Sequence, residues 1–177
     1  MIHTVLGPIA AGDLGVTSMH EHLLLDARIL HAPSREPAPD DPRVTLENLG
    51  FVRWNLLALE DNLVLDDADL AARELALAGA EGQRAVVDLT CWGLGSDPAR
   101  LPAIARATGM HVVAGCGVYL DRPHPEELRG LGEAGMEEIF RAALDDGVPG
   151  GGFRAGLLGL VGTSAPVTEA EHRALRA

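Results

Sequence analysis

The chain contains no lysine, because all 14 of its basic residues are arginine. Schiff-base chemistry, phosphate anchoring by lysine and modified-lysine chemistry therefore cannot be built from its own side chains. Acidic residues number 26, which gives a net charge of −12. Nucleic acids and anionic membranes are bound by basic patches, so the sequence predicts neither as a partner.

Aromatic residues are also scarce, at 3%, so alanine, leucine, valine and glycine must fill the interior. With 47% apolar residues, 177 residues suffice for a single domain over residues 1–177 with its own core. No apolar run reaches the roughly 20 residues of a membrane helix, and the N-terminus lacks a signal-peptide pattern, so we expect a cytoplasmic location. Cys91 and Cys116 form no Cys-x-x-Cys motif and are predicted to be small buried hydrophobes at strand ends.

The most informative stretch is residues 15–22, which is typical of a short strand ending in a His-x-His pair. Residues two apart on a strand share one face, so His20 and His22 should project the same way, about 7 Å apart. Two imidazoles in that arrangement can bind one divalent metal such as zinc. A histidine on an apolar face is, however, more often a hydrogen-bonded core residue, so the pair alone leaves both interpretations open.

The rest of the chain alternates strand and helix patterns. Turn signals predict a short hairpin over residues 2–14, four prolines predict a long irregular loop over 31–48, and residues 49–60 suggest a short helix or lid. Strands are predicted at 15–22, 84–90, 111–118 and 155–161, and helices at 66–79, 96–109, 125–146 and from 168 onward. This order predicts an α/β fold with a parallel sheet and right-handed crossovers. Four such units make half of an eight-fold barrel or an open sheet, and periodicity does not choose between them.

Further motifs follow the histidine pair in a fixed order. They are Gly7-Pro8 before it and, after it, Val87-Asp88-Leu89-Thr90, Gly93-Leu94-Gly95-Ser96-Asp97, residues 107–117, Tyr119, His124-Pro125, residues 154–159 and Gly162-Thr163-Ser164. Together they resemble the phosphotriesterase family of the amidohydrolase superfamily, in the branch of phosphotriesterase-related proteins. The resemblance covers nearly the whole chain.

The resemblance implies a TIM-barrel type (β/α)8 fold that is incomplete here, with about four βα units after a short N-terminal hairpin. It implies two divalent metals, zinc being expected, at the C-terminal ends of the strands, with His20 and His22 as ligands of the more buried ion. Family members hydrolyse phosphotriesters, lactones or related esters, so a small-molecule ester substrate is implied. Tyr119 and His124 are candidates to line the substrate pocket.

The sequence departs from the family pattern in its remaining metal ligands. The carboxylate that bridges the two metals would fall on Leu160, which has no lone pair, and the lack of lysine excludes the carboxylated-lysine variant. The histidines and aspartate of the later strands have no counterparts, so the catalytic residues stay unassigned. Asp26 and Asp88 are either ligands or hydrogen-bonded carboxylates, and the residues from 168 onward form a helix cap.

Two functions remain open. The first is a phosphotriesterase-like, metal-dependent hydrolase, impaired in this chain because ligands are absent. The second is a catalytically silent half-barrel that acts as a binding or assembly module. The edges of an open sheet expose unpaired backbone groups, so a homo-oligomer or a complementing second half is expected in either case.

Overall fold

The computed structural model of the protein describes residues 1–177 as an α/β fold around a parallel sheet. The strands are β1 (Ile2–Thr4), β2 (Gly7–Ile9), β3 (Thr17–Glu21), β4 (Leu25–Asp26), β5 (Val64–Leu65), β6 (Ala85–Asp88), β7 (His111–Cys116) and β8 (Leu157–Leu158). The α-helices are α1 (Leu49–Trp54), α2 (Ala68–Ala80), α3 (Leu101–Thr108), α4 (Glu126–Arg129), α5 (Glu133–Asp145) and α6 (Glu169–Arg176). The central sheet has the strand order β3-β6-β7-β8 with all neighbours parallel, which confirms the predicted α/β fold with a parallel sheet.

The core lies on both faces of β6 and β7. Every residue of β6 and five of the six in β7 are buried, as expected for central strands of a parallel sheet. On one face, Val86 and Val112 belong to the cluster that contains Leu101 and Ile104 of the α3 helix. On the other face, side chains of β6, β7 and the residue after β6 pack against a side chain that follows the first hairpin and against side chains in and just after β8. These residues are Leu14, Val87, Leu89, Val113, Leu157 and Leu160.

Two small antiparallel ladders flank the sheet. The β1–β2 hairpin agrees with the turn signals at the N-terminus, and the Val5 N–H beside it donates to the carbonyl of Val112 at 2.9 Å. The β4–β5 ladder pairs Leu25 with Leu65 and was not predicted, because two residues per strand show no periodicity. Between the two ladder strands, residues 31–48 form neither helix nor strand, as expected.

Helix ends follow the predicted signals, and the longest predicted helix is corrected. Asp67 caps α2 by accepting a hydrogen bond from the Leu70 N–H at 2.9 Å, and Gly109 ends α3 in the left-handed region with φ 69°. The single helix predicted over 125–146 is wrong, because the chain forms α4 and α5 with a break at residues 130–132. Gly130 and Gly132 stand at that break, where glycine disfavours helix.

The fourth strand of the sheet is shorter than predicted. The prediction covered residues 155–161, whereas β8 contains only Leu157–Leu158. None of the helices combines the length and apolarity of a membrane-spanning segment; the longest, α2 and α5, have 13 residues each.

The α6 helix is tied to the sheet by Glu171, whose side chain is fully buried. Its carboxylate accepts hydrogen bonds from the N–H groups of Asp121, Ser164 and Thr168 and from the Ser164 hydroxyl, all between 2.9 and 3.1 Å. Burial alone would raise the pKa of Glu171, but these donors outweigh it and lower the pKa to about 2. One carboxylate therefore joins the segment after β7, the segment after β8 and the start of α6.

Glycine is required where β7 meets the chain after β8. A Cβ built on Gly117 would overlap the carbonyl oxygen of Leu160, and one on Gly115 would overlap that of Gly159. We expect Gly117→Ala to lower the free energy of unfolding by about 1–3 kcal/mol, because backbone must move to accept the methyl group. Urea unfolding measures the change. Gly12→Ala is the matched control, since no atom lies within 4 Å of a Cβ there; equal stability of the two variants would contradict the packing.

Candidate metal centre

The histidine pair lies at the C-terminal end of β3, an edge strand of the sheet. His20 is inside the strand and His22 follows it by one residue. The register with β6 shifts between Ser18 and Glu21, which marks an irregularity just where the pair begins. The two imidazole centroids are 5.4 Å apart with ring planes at 72°. The rings therefore meet edge to face, at a centroid separation somewhat below the roughly 7 Å spacing expected along the strand.

The His22 ring is held by Thr90, which follows β6. His22 Nδ1 and Thr90 Oγ1 are hydrogen-bonded at 3.0 Å. With Nδ1 engaged by the hydroxyl, Nε2 is the nitrogen left for a metal ion. The sequence does not single out Thr90 by itself; its one local signal is that it closes the Val87-Asp88-Leu89-Thr90 motif at the predicted end of a strand.

Asp88 fixes the backbone on both sides of that hydrogen bond. Its carboxylate is only 2% exposed; Oδ1 accepts from the Thr90 N–H at 2.7 Å and Oδ2 from the Leu23 N–H at 3.1 Å. Burial raises the pKa of Asp88, and the two hydrogen bonds oppose that rise. Of the two roles considered from sequence, the structure shows the hydrogen-bonded carboxylate, which connects the residue after His22 to Thr90.

The electrostatics around His22 favour a neutral ring. Burial lowers the pKa of His22, and the negative charge of Asp88 partly offsets this effect. A metal binds the neutral imidazole, so a lowered pKa leaves His22 in its ligand form at neutral pH. His20 is exposed, whereas His22 is half-buried.

The chain does not gather a third ligand beside the pair. No group of three or more histidine, cysteine, aspartate or glutamate side chains is placed to hold a metal ion. Asp26 is paired with Arg28 at 2.6 Å, and Glu21 accepts a hydrogen bond from the Ser18 hydroxyl. The half-buried Leu160 packs on the apolar cluster that contains Cys91. The two imidazoles thus fit part of a zinc site, which normally takes three protein ligands and water when catalytic.

The two candidate pocket residues lie together, and neither forms a hydrogen bond with the histidine pair. His124 is 3% exposed, and its Nε2 is hydrogen-bonded to the carbonyl oxygen of Tyr119 at 3.1 Å. The Tyr119 side chain is half-buried against the cluster around Ala27 and Leu63. This hydrogen bond gives His124 a role in shaping its loop, and the pocket role of both residues stays a prediction.

Both cysteines are free and buried, in agreement with the sequence. Burial raises the pKa of Cys91 to about 12 and that of Cys116 to about 11. A thiol that keeps its proton at neutral pH is neither a nucleophile nor a ready metal ligand. The two thiols are therefore not candidates for nucleophiles or metal ligands at this site.

Comparisons with known proteins agree on one family. The sequence model of the phosphotriesterase family matches residues 1–177. The chain is 32% identical over 182 residues to an N-acetyltaurine hydrolase of Danio rerio, covering 99% of this chain and 51% of that protein. A resiniferatoxin-binding protein from Rhodobacter sphaeroides superposes with a TM-score of 0.90 at 39% identity, over 99% of this chain and 50% of the other.

A more distant structure shows the fold alone. A lactonase from Listeria monocytogenes superposes with a TM-score of 0.75 at 18% identity, again over 99% of this chain and 51% of the other. The chain spans about half the length of the curated relatives that it matches.

Proposed function

The chain belongs to the phosphotriesterase family, and from this membership we propose that it carries the histidine half of a metal-dependent hydrolase site. The observation that supports the proposal best is the His20–His22 pair, whose rings lie 5.4 Å apart at the C-terminal end of a parallel strand. The relative named as an N-acetyltaurine hydrolase supports hydrolysis as the reaction class.

The proposed metal is zinc, which binds imidazole well and whose remaining coordination positions can be filled by groups other than imidazole. His20 and His22 would hold the ion, Thr90 would orient the His22 ring, and Asp88 would fix the backbone around both. A bound zinc ion supplies a Lewis acid for the oxygen of the scissile bond and acidifies water near it. Burial of His22, which lowers its pKa, keeps the ring available as a ligand.

The proposed substrate is a small molecule with an ester bond: a phosphotriester, a lactone or a related ester. The name of the Danio rerio relative adds an N-acyl amide to this set, because amides and carboxylic esters are both hydrolysed by attack on a carbonyl carbon. Turnover of an aryl ester, a lactone and a phosphotriester, with and without added zinc, tests the proposal. Zinc-dependent turnover that disappears in a variant lacking both histidines supports it; turnover unaffected by that variant contradicts it.

We propose further that the sheet is half of a TIM-type barrel. Its four strands lie in chain order and run parallel, and the matching relatives are about twice as long. The β3 edge carries the exposed side chains of Val16 and Met19, and Leu158 is exposed on β8 at the other edge. A second set of βα units, from a second copy or from a complementing half, would pair with both edges.

Native mass spectrometry and size-exclusion chromatography test this arrangement. We expect a species larger than one chain, either from the protein alone or after addition of a separately produced C-terminal half of a family member. A stable monomer that also does not bind the added C-terminal half would contradict the half-barrel arrangement.

Thr90 is expected to affect metal affinity through the His22 ring. Thr90→Val keeps the side-chain shape and removes the hydroxyl bonded to Nδ1. We expect zinc affinity to fall about 10–100-fold, which is typical when the group that orients a ligand is removed. Competition with a chromophoric zinc indicator measures the change. Thr163→Val, at an exposed position, is the control; equal affinity of both variants would remove Thr90 from the site.

A second candidate function is a binding module without catalysis. Leu160 at the position of the bridging carboxylate and the lack of a third ligand favour it. This candidate is supported if the ester panel shows no turnover with zinc both in the isolated chain and in the assembled species. Restored turnover in the assembled species would contradict it.

A further inference from the structure

A cavity of about 240 Å³ lies beside the histidine pair, between the C-terminal ends of β6 and β7 and the start of α3. Apolar side chains of Leu24, Leu101, Ala114 and Val148 form much of its wall. Neither histidine of the pair lines it, and neither do the two candidate pocket residues. The cavity therefore borders the proposed metal centre through Asp88 and Thr90 but contains neither of its histidines.

The cavity wall includes the buried carboxylate of Asp88, which has no cationic partner. Asp88 appears in none of the six ion pairs of the chain, and no arginine or histidine lines the cavity. Each of its oxygens accepts one backbone N–H, and an ionised carboxylate oxygen has a second lone pair to offer. Buried charges are normally paired, so an unpaired carboxylate on a cavity wall calls for a cation or a strong donor.

The size and the wall limit what that cation can be. A metal ion would need several ligands gathered around it, and no group of three or more histidine, cysteine, aspartate or glutamate side chains is placed to hold one. About 240 Å³ lies between the ~150 Å³ that holds a benzene ring and the 300 Å³ at the lower end of drug-sized pockets. The net charge of −12 also favours a positively charged ligand over an anion.

We propose that this cavity binds a compact primary amine in its ammonium form, with the ammonium against Asp88 and a ring-sized hydrocarbon body against Leu24, Leu101 and Ala114. The ammonium group has three donors, and the Thr90 hydroxyl beside Asp88 offers another acceptor. Burial of the hydrocarbon body and the charge-assisted hydrogen bond act together, so a neutral molecule of the same shape binds more weakly.

Benzylamine is the probe, and benzyl alcohol is the neutral molecule of matched shape. Titration in zinc-free buffer with EDTA is followed by ¹H–¹⁵N NMR, with the amides of Leu23 and Thr90 as reporters because both donate to Asp88. We expect a saturable shift of these two amides with benzylamine and at least ten-fold weaker binding of the alcohol. No shift in the folded protein, or equal binding of the two probes, would overturn the proposal.

Two variants act on different parts of the cavity. Asp88→Asn removes the charge, and Val148→Trp enlarges a side chain of the cavity wall while leaving Asp88 in place, so one remains informative if the other unfolds. Benzylamine binding should fall at least ten-fold in each folded variant. Val167→Trp, at an exposed position, should bind as the unaltered chain does. Unchanged binding in Val148→Trp or Asp88→Asn would overturn the proposal. Because zinc is absent, the result does not depend on the metal centre.

Discussion

Replacing His20 and His22 together by alanine is expected to abolish stoichiometric zinc binding, with a loss of at least 100-fold in affinity. The two imidazoles are the neighbouring donors at the end of β3, and no group of three suitable side chains exists elsewhere in the chain to take their place. Zinc held by two nitrogens from one segment depends on both, since either alone leaves a single protein ligand. Metal analysis after dialysis, together with indicator competition, measures the loss.

His172→Ala is the control for this experiment, because His172 is an exposed histidine on α6. It should keep the zinc content of the unaltered protein. Equal zinc content in the double variant and in the control would show that the pair is not the site. A double variant that unfolds is recognised by circular dichroism; His22→Gln, which keeps a polar side chain next to Thr90, then takes its place.

Glu171→Gln is expected to lower the free energy of unfolding by about 3 kcal/mol at neutral pH. The carboxylate accepts from four donors that belong to three separate segments, and a hydrogen bond to a charged group contributes a net of about 1.5–3 kcal/mol. A glutamine turns an NH2 group towards some of those donors and leaves them unpaired. Urea unfolding followed by circular dichroism measures the difference.

The pH dependence of this effect has a definite sign. The pKa of Glu171 is about 2 in the folded chain, below its ordinary value of 4.5, so the unfolded chain binds the proton more readily. The contribution of Glu171 is therefore fully present above about pH 4.5 and is lost as the pH falls from there towards 2. The difference in free energy of unfolding between the unaltered protein and Glu171→Gln should therefore decrease as the pH falls from about 4.5 towards 2. Glu169→Gln, exposed in the same first turn, should change stability by only a few tenths of a kcal/mol; a gap constant with pH would contradict the assignment.

The parallel sheet could be predicted because its central strands leave a strong signal. The valine-rich β6 and β7 are covered on both faces, and turn, cap and glycine residues separate them from the helices. The β4–β5 ladder escaped prediction, and β8 is shorter than the strand predicted over residues 155–161, because their pairing depends on distant chain segments rather than on local pattern. The break before α5 was foreshadowed by Gly130 and Gly132, although glycine spacing alone does not decide whether a helix bends or stops.

The candidate site could be predicted only where residues are adjacent in sequence. His20 and His22 are two residues apart, so strand geometry already brings their rings together. The contact of His22 with Thr90 spans 68 positions and requires the β3–β6 register, which no local pattern supplies. Glu171 was recognised as part of a helix cap, but its bonds to Asp121 and Ser164 depend on tertiary structure.

The two buried thiols sit in different packed regions: Cys91 beside Ala27, Leu63 and Leu94, and Cys116 beside Ala143 and Ala155. Because each sulfur is protonated and shielded, alkylation can proceed only when its own surroundings open. Mass-resolved labelling of the two positions would time the opening of each region separately, without any introduced reporter. A ligand or polypeptide that covers one side of the sheet would slow the alkylation of the cysteine on that side and leave the alkylation rate of the other cysteine unchanged.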